Sequence, residues 1–193
     1  MRAAADMLWE QFGEDAISIS ASSASDMVRG WGAFVVGRSE TPTLEDRLAL
    51  IRPFADDSHF AVREFAWLSM RSHVIADTIN ALSLLEPWTH DESHLIRRFT
   101  SEVTRPIGVW SRHVPLLKSH PGHARQLLNS LRHDDHIYVQ NSVGNWLNDA
   151  ARTNPEWVRK TCANWLADGP TRATMRICRR GQRNLVPLAA GGS

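Results

Sequence analysis

The sequence predicts an all-α protein in which helical pairs stack side by side into a curved solenoid, one helix of each pair lining a concave face. Three observations carry that expectation. Apolar residues recur at the three-to-four spacing of amphipathic helices. No sustained alternating run is flanked by Asn-Gly or Asp-Gly, so strands have no support. A short string, polar and then apolar, returns along the chain at intervals of 34–43 residues.

The elements follow in order. At 193 residues and 42% hydrophobic content, the chain suits one domain with its own core. It divides into N-terminal helices over 1–40, helical repeats over 41–187 and a Gly-Ser tail over 188–193. SASDMVRGWGAFVVG (23–37) offers Ser25 or Asp26 as a cap, Val28, Trp31, Val35 and Val36 on one face, and Gly37 as a stop. TPTLEDRLALIRPFA (41–55) opens with the capping pattern Thr43 and Asp46 and carries Leu44, Leu48 and Ile51 on one stripe. DSHFAVR (57–63) and DESHLIR (91–97) then align at a shift of 34, pairing Asp57 with Asp91, Val62 with Ile96 and Arg63 with Arg97. DHIYVQ (135–140) is a third copy, after the acid pair Asp134–Asp135, with Val139 at the position of Ile96 and a shift of 43. NPEWVRK (154–160) reads as a weaker fourth. Each copy is a polar turn that caps a helix, and an apolar helix lies between copies, as in HVIADTINALSLL (73–85) or HVPLLKS (113–119). Two helices per repeat at this period is the pattern of a HEAT-like α-solenoid, with an irregular helical bundle as the alternative.

Charge is distributed unevenly. The net value is +1, yet residues 1–150 carry 14 Lys/Arg against 19 Asp/Glu, and residues 151–193 carry 8 against 2. The basic excess is densest in RATMRICRRGQR (172–183), which is either a nucleic-acid contact or a solvated last helix whose cations offset its dipole. Cys162 and Cys178 are the only cysteines and have no framework spacing, which fits a reducing, cytoplasmic setting. MRAAADMLWEQFGED is too acidic for a signal peptide, and no apolar run reaches the length of a membrane span.

Four polar clusters fall on the second helices of successive repeats: REFAW (63–67), RRFTSEVTRP (97–106), NSVGNWLND (141–149) and the C-terminal arginines. In NWLND, Asn145 and Asp149 are four apart and Trp146 and Asp149 three apart, so an aromatic face can stand beside a carboxylate. Glu102 and Arg105 are likewise three apart. Pro106 ends that helix, placing Arg105 in its last turn and Trp110 at the opening of the next element.

VREFAW (62–67), IRRFTSEVTRPIGVW (96–110), YVQNSVGNWLND (138–149) and TMRICRR (174–180) together resemble the DNA alkylation repair glycosylases of the AlkC/AlkD type, in order, over about residues 25–185. The resemblance implies a HEAT-like solenoid cradling duplex DNA, acting as a monomer without metal or organic cofactor and without a membrane. The implied activity is hydrolysis of the N-glycosidic bond of cationic alkylpurines such as 3-methyladenine and 7-methylguanine, attacked from the deoxyribose side without base flipping. Carried over by motif, Asp149 is the catalytic carboxylate, with Glu102 and Trp110 lining the lesion site. Arg105 holds Glu102 or a phosphate, Trp67 adds a wall, and Glu64 and His59 are the alternatives for the acid position of the first motif. Asn145 and Trp146 flank the carboxylate, and Arg176, Arg179 and Arg180 neutralise phosphates. The chain departs from the family's pattern at Val103 and over Ile107–Gly108–Val109.

Without the resemblance, Asp149 reads as an acid pairing with Arg152, Glu102–Arg105 as a surface ion pair, and Trp31, Trp88, Trp157 and Trp165 as core. His90 with His94, and His133–Asp134–Asp135–His136, have ligand-like spacing but sit in inter-repeat turns, where polar caps are expected. A non-catalytic binder of damaged DNA and a helical protein-interaction scaffold remain the other two readings.

Overall fold

The computed structural model describes residues 1–40, 43–108 and 110–185, and every regular element among them is helical. Twelve α-helices follow in chain order: α1 (Arg2–Phe12), α2 (Asp15–Ala21), α3 (Asp26–Arg38), α4 (Leu44–Ala55), α5 (Phe60–Ala76), α6 (Thr78–Leu85), α7 (His94–Val103), α8 (Pro115–Ser119), α9 (Arg125–Leu131), α10 (Ile137–Ala151), α11 (Pro155–Ala167) and α12 (Arg172–Gly181). Short 3-10 turns at Pro87–His90 and Pro121–Ala124 precede α7 and α9. Helices α3, α5, α7, α10 and α12 pack successively on one another as one layer, and α4, α6, α9 and α11 form the other, which makes a curved HEAT-like solenoid.

The repeat rests on a recurring turn. Four times, a side chain reaches back to the carbonyls six and five residues before it. Arg29 donates to Ser23 and Ala24, Arg63 to Asp57 and Ser58, Arg97 to Asp91 and Glu92, and Gln140 to Asp134 and Asp135. The turn aspartate accepts from the backbone N–H two residues on, at 2.7 Å for Asp57, 2.9 Å for Asp91 and 2.9 Å for Asp134. Arginines also cross between repeats, Arg29 to Asp57 at 2.5 Å and Arg97 to Asp134 at 2.6 Å. The same geometry therefore already occurs at Ser23–Arg29, inside the segment read from sequence as N-terminal helices.

Several local expectations change. NPEWVRK opens α11, a helix of the outer layer, so it is not a further copy of the turn. Residues 73–85 are two helices, because the Asp77 side chain accepts from Asn80 N–H at 3.2 Å and starts α6. Gly37 does not stop α3, which runs on to Arg38. It provides close approach instead: a Cβ there would stand 2.9 Å from the Ser69 carbonyl oxygen of α5. Thr43 does cap α4, accepting from Asp46 N–H at 3.1 Å. Trp165 is buried, donating to Asn129 at 2.7 Å, whereas Trp31, Trp88 and Trp157 are only partly covered.

One apolar core runs along the stack, from Ala33 and Val36 in α3 to Ile177 and Cys178 in α12, and includes the fully buried Trp146. A smaller cluster of Ala5, Ala16 and Val35 seats α1 and α2. No helix among the described residues is long and apolar enough to cross a membrane.

Candidate DNA-lesion site

The C-terminal half of α7 carries the polar centre of the inner layer. Arg98, Thr100, Ser101, Glu102 and Thr104 are all buried there, an arrangement tolerated only because each finds a partner. Ser101 Oγ lies 2.6 Å from Ser142 Oγ of α10, and Ser142 donates to Glu102 Oε1 at 2.8 Å. Arg98 Nη2 lies 3.4 Å from that same oxygen, and Arg105 Nη1 donates to Glu102 Oε2 at 3.3 Å.

These contacts extend into an alternating chain of charges. Trp67 Nε1–H donates to Glu64 Oε2 at 3.0 Å, and Arg98 donates to Glu64 Oε1 at 2.7 Å. Arg105 Nε donates to Asp149 Oδ2 at 2.7 Å, linking the end of α7 to the end of α10. Asp149 Oδ1 takes no hydrogen bond from any described residue. Burial alone would lower the Arg105 pKa, but the charge of Glu102 and the hydrogen bond to Asp149 outweigh it and raise it, so the guanidinium stays charged. With the buried Arg71 that lines the same space, the three carboxylates are balanced by three guanidiniums, and the Arg98 guanidinium rests 4.2 Å from the Tyr138 ring centroid.

A cleft of about 180 Å³ opens among Glu64, Trp67, Arg71, Glu102, Arg105, Gly108 and Trp110. Five residues singled out from sequence thus line one space: Glu64, Trp67, Glu102, Arg105 and Trp110. Asp149 joins them through Arg105. His59, the other option for the acid position of the first motif, caps α5 and faces Asp26 at 3.3 Å, away from this cleft. Trp110 does not open a helix. It stands 88% exposed in the irregular stretch between α7 and α8, and Arg105 lies two residues past the end of α7. Trp146 is fully enclosed, its indole N–H donating to the Thr104 carbonyl at 3.1 Å, so it braces the α7–α10 contact. Asn145 accepts from Arg180 Nε at 3.0 Å, and Asn141 from Arg176 at 2.8 Å. Arg179 is exposed. Val109 and residues 186–193 lie outside the described residues.

The sequence reading missed Arg71. It is 2% exposed, and its guanidinium donates to the backbone carbonyls of Val103 at 2.8 Å and Arg112 at 3.0 Å, and to that of Arg105. It therefore closes the C-terminal end of α7 and pins both ends of the Trp110 stretch. Burial, followed by the nearby Arg105 charge, pulls its pKa down to about 10, still charged at neutral pH. Seven residues from Glu64 on the same helix face, Arg71 had only periodicity as a signal. Arg98 was better marked, four residues before Glu102. Ser142, a small polar residue on an apolar helix, gave no signal. Among the described residues no group of three or more His, Cys, Asp or Glu is gathered as a metal site would need.

Similar proteins are found by sequence and by fold. A family described as DNA alkylation repair enzyme matches residues 65–176. The uncharacterised protein YhaZ of Bacillus subtilis strain 168 is 31% identical over 120 residues, 62% of this chain and 33% of YhaZ. The Pseudomonas fluorescens alkylpurine DNA glycosylase AlkC, solved bound to DNA containing an abasic site analog, superposes with a TM-score of 0.72 at 24% identity, covering 88% of this chain and 45% of AlkC. AlkD2 from Streptococcus mutans superposes with a TM-score of 0.76 at 19% identity, covering 96% of this chain and 90% of AlkD2. The chain thus spans about a third of YhaZ and less than half of AlkC, while AlkD2 is close to its own length. With the family match spanning more than half of its residues, the chain belongs to the DNA alkylation repair enzymes, on the HEAT-like fold of the AlkC/AlkD type.

Proposed function

We propose that this protein is a DNA glycosylase that releases cationic N-alkylated purines from duplex DNA. The observation that carries the reading is the cleft in which Glu64, Glu102 and two indoles meet, with Asp149 held beside it by Arg105. An alkylated purine already bears positive charge and leaves without much acid assistance. What needs stabilising is the oxocarbenium-like sugar, and carboxylates fixed in place beside it do that. Asp149 Oδ1, which accepts no hydrogen bond from the described residues, is the atom we assign to the sugar or its attacking water, while Oδ2 is oriented by Arg105. Glu102 adds field from within the wall, and Trp67 and the exposed Trp110 offer electron-rich faces. Arg176, Arg179 and Arg180 hold phosphates along α12. The base stays in the stack in this reading, because the acids meet the backbone side of the nucleotide. AlkC, whose fold the chain shares, is an alkylpurine glycosylase seen with DNA, which supports the substrate class.

The test is release of 7-methylguanine and 3-methyladenine from methylated duplex DNA. Asp149→Asn is expected to lower the release rate by at least ~10²-fold, the scale of losing one electrostatic partner of a transition state, while keeping DNA affinity. Wild-type release from that variant sinks the assignment. One observation favours a second reading, a non-catalytic binder of distorted duplex: Glu64, Glu102 and Asp149 are each already engaged by an arginine. That protein would bind DNA with a steep salt dependence and leave all alkylated substrates intact.

A further inference from the structure

Tyr138, in the first turn of α10, does not line the lesion cleft, yet two guanidiniums rest against its ring. That of Arg98 stands 4.2 Å from the ring centroid and that of Arg63 stands 5.4 Å away. Both fall within the roughly 6 Å over which an aromatic face attracts a cation. The ring has a fixed base, because the Tyr138 backbone N–H donates to His136 Nδ1 at 3.3 Å in the cap of α10.

The two arginines are held differently. Arg63 donates to the carbonyls of Asp57 and Ser58, and Arg71 and Arg97 are likewise tied to backbone carbonyls. Arg98 has no such anchor among the described residues. Its buried guanidinium meets side chains only: Glu64 at 2.7 Å, Glu102 at 3.4 Å and the Tyr138 ring. The two carboxylates stand on different helices, α5 and α7, and a cation between them can settle on either. Stacking removes that freedom, since it fixes the plane in which a guanidinium presents its donors. The contact between α7 and α10 does not depend on this stack. Ser101 with Ser142, and Trp146 with Thr104, already close it.

We infer that Tyr138 is a positioning residue of the lesion site: its ring holds the Arg98 guanidinium between Glu64 and Glu102, and so fixes where both carboxylates stand in the cleft. The inference rests on the glycosylase reading above. Tyr138 then acts on the transition state through Arg98, so it governs the rate of base release and leaves substrate affinity alone. Arg63, a turn arginine of the repeat frame, supports the same ring and ties that frame to the charges of the cleft.

The test weakens the ring face in steps. Tyr138→Phe keeps the face, and increasingly fluorinated phenylalanines at the same position keep its shape while draining its negative charge. Tyr138→Leu removes it. Each protein is read twice. One reading is kcat and KM for 7-methylguanine release from methylated duplex. The other is the Trp67 indole N–H resonance, assigned by its loss in Trp67→Phe. That N–H donates to Glu64 Oε2 at 3.0 Å and reports where the carboxylate stands. Tyr138→Phe should retain release. Along the fluorinated series kcat should fall, by about tenfold at its end, with KM constant and the Trp67 resonance moving in step. Tyr138→Leu should lose at least as much, and if it fails to fold the fluorinated proteins carry the test. A Trp67 resonance unmoved by fluorination overturns the inference, as does a kcat that ignores it or a KM that changes instead. Should the wild type release no base, the glycosylase reading falls, and the Trp67 resonance alone upholds or overturns the placement of Glu64 by Tyr138.

Discussion

At the scale of single residues, the site is a set of ion pairs whose members each complete another's hydrogen bonds. Ser142 illustrates this. Its hydroxyl donates to Glu102 and lies 2.6 Å from the Ser101 hydroxyl, all three groups being buried. Ser142→Ala removes a neutral donor to a buried carboxylate and is expected to cost ~1–3 kcal/mol by urea denaturation. Under the proposed function, the release rate should fall more than substrate affinity, since Ser142 positions Glu102 without reaching DNA. The sequence made Glu102, Arg105 and Asp149 legible because they sit in long ordered strings, and it placed Trp146 in the same set. It could not separate them: helical spacing sets both Trp146 and Asp149 on adjacent strips of α10, and only packing decides that one faces Thr104 and the other Arg105.

At the scale of elements, the turn that joins the repeats is the most readable feature. Asp57 aligns with Asp91 and Arg63 with Arg97 at a shift of 34, and in the structure the members of each pair make the same hydrogen bonds. The copy at Ser23–Arg29 was hidden because serine replaces aspartate there, while the capping arginine is retained. These turns make stability depend on pH. Burial alone would raise the Asp57 carboxyl, but hydrogen bonds from Arg29 and the His59 N–H outweigh it and hold it below the usual range. Asp91 is lowered likewise, by Arg52 and the Ser93 N–H against burial. A folded-state pKa below the unfolded one contributes stability fully present above about pH 4 and lost as pH falls through the folded value. Acid titration of unfolding free energy should therefore show proton uptake on unfolding below about pH 4. Asp57→Asn should be less stable at neutral pH and lose part of that slope; an unaltered slope would show that Asp57 is not one of the groups responsible.

At the scale of the whole molecule, one core from α3 to α12 couples the repeats, so the stack should unfold as a unit. Trp146→Ala empties the largest fully buried side chain and is expected to cost ~3–5 kcal/mol, with helical circular dichroism and indole fluorescence shifting together in urea. Separate transitions would mean that the ends of the solenoid come apart independently. The all-α class and the layering followed from periodicity and repeat length. The irregular stretch between α7 and α8 did not, since its course is set by Arg71, thirty or more residues earlier in the chain. That grip has an evolutionary consequence. Arg71 holds the carbonyls of Val103, Arg105 and Arg112, atoms that every amino acid supplies. An exposed side chain between them, such as Trp110, can be exchanged without loosening this grip, whereas a Cβ at Gly108 would stand 2.8 Å from the Ser111 carbonyl oxygen. Under the proposed function, a lineage can therefore retune which lesions it accepts by rewriting exposed positions of this short span, leaving the inherited architecture intact.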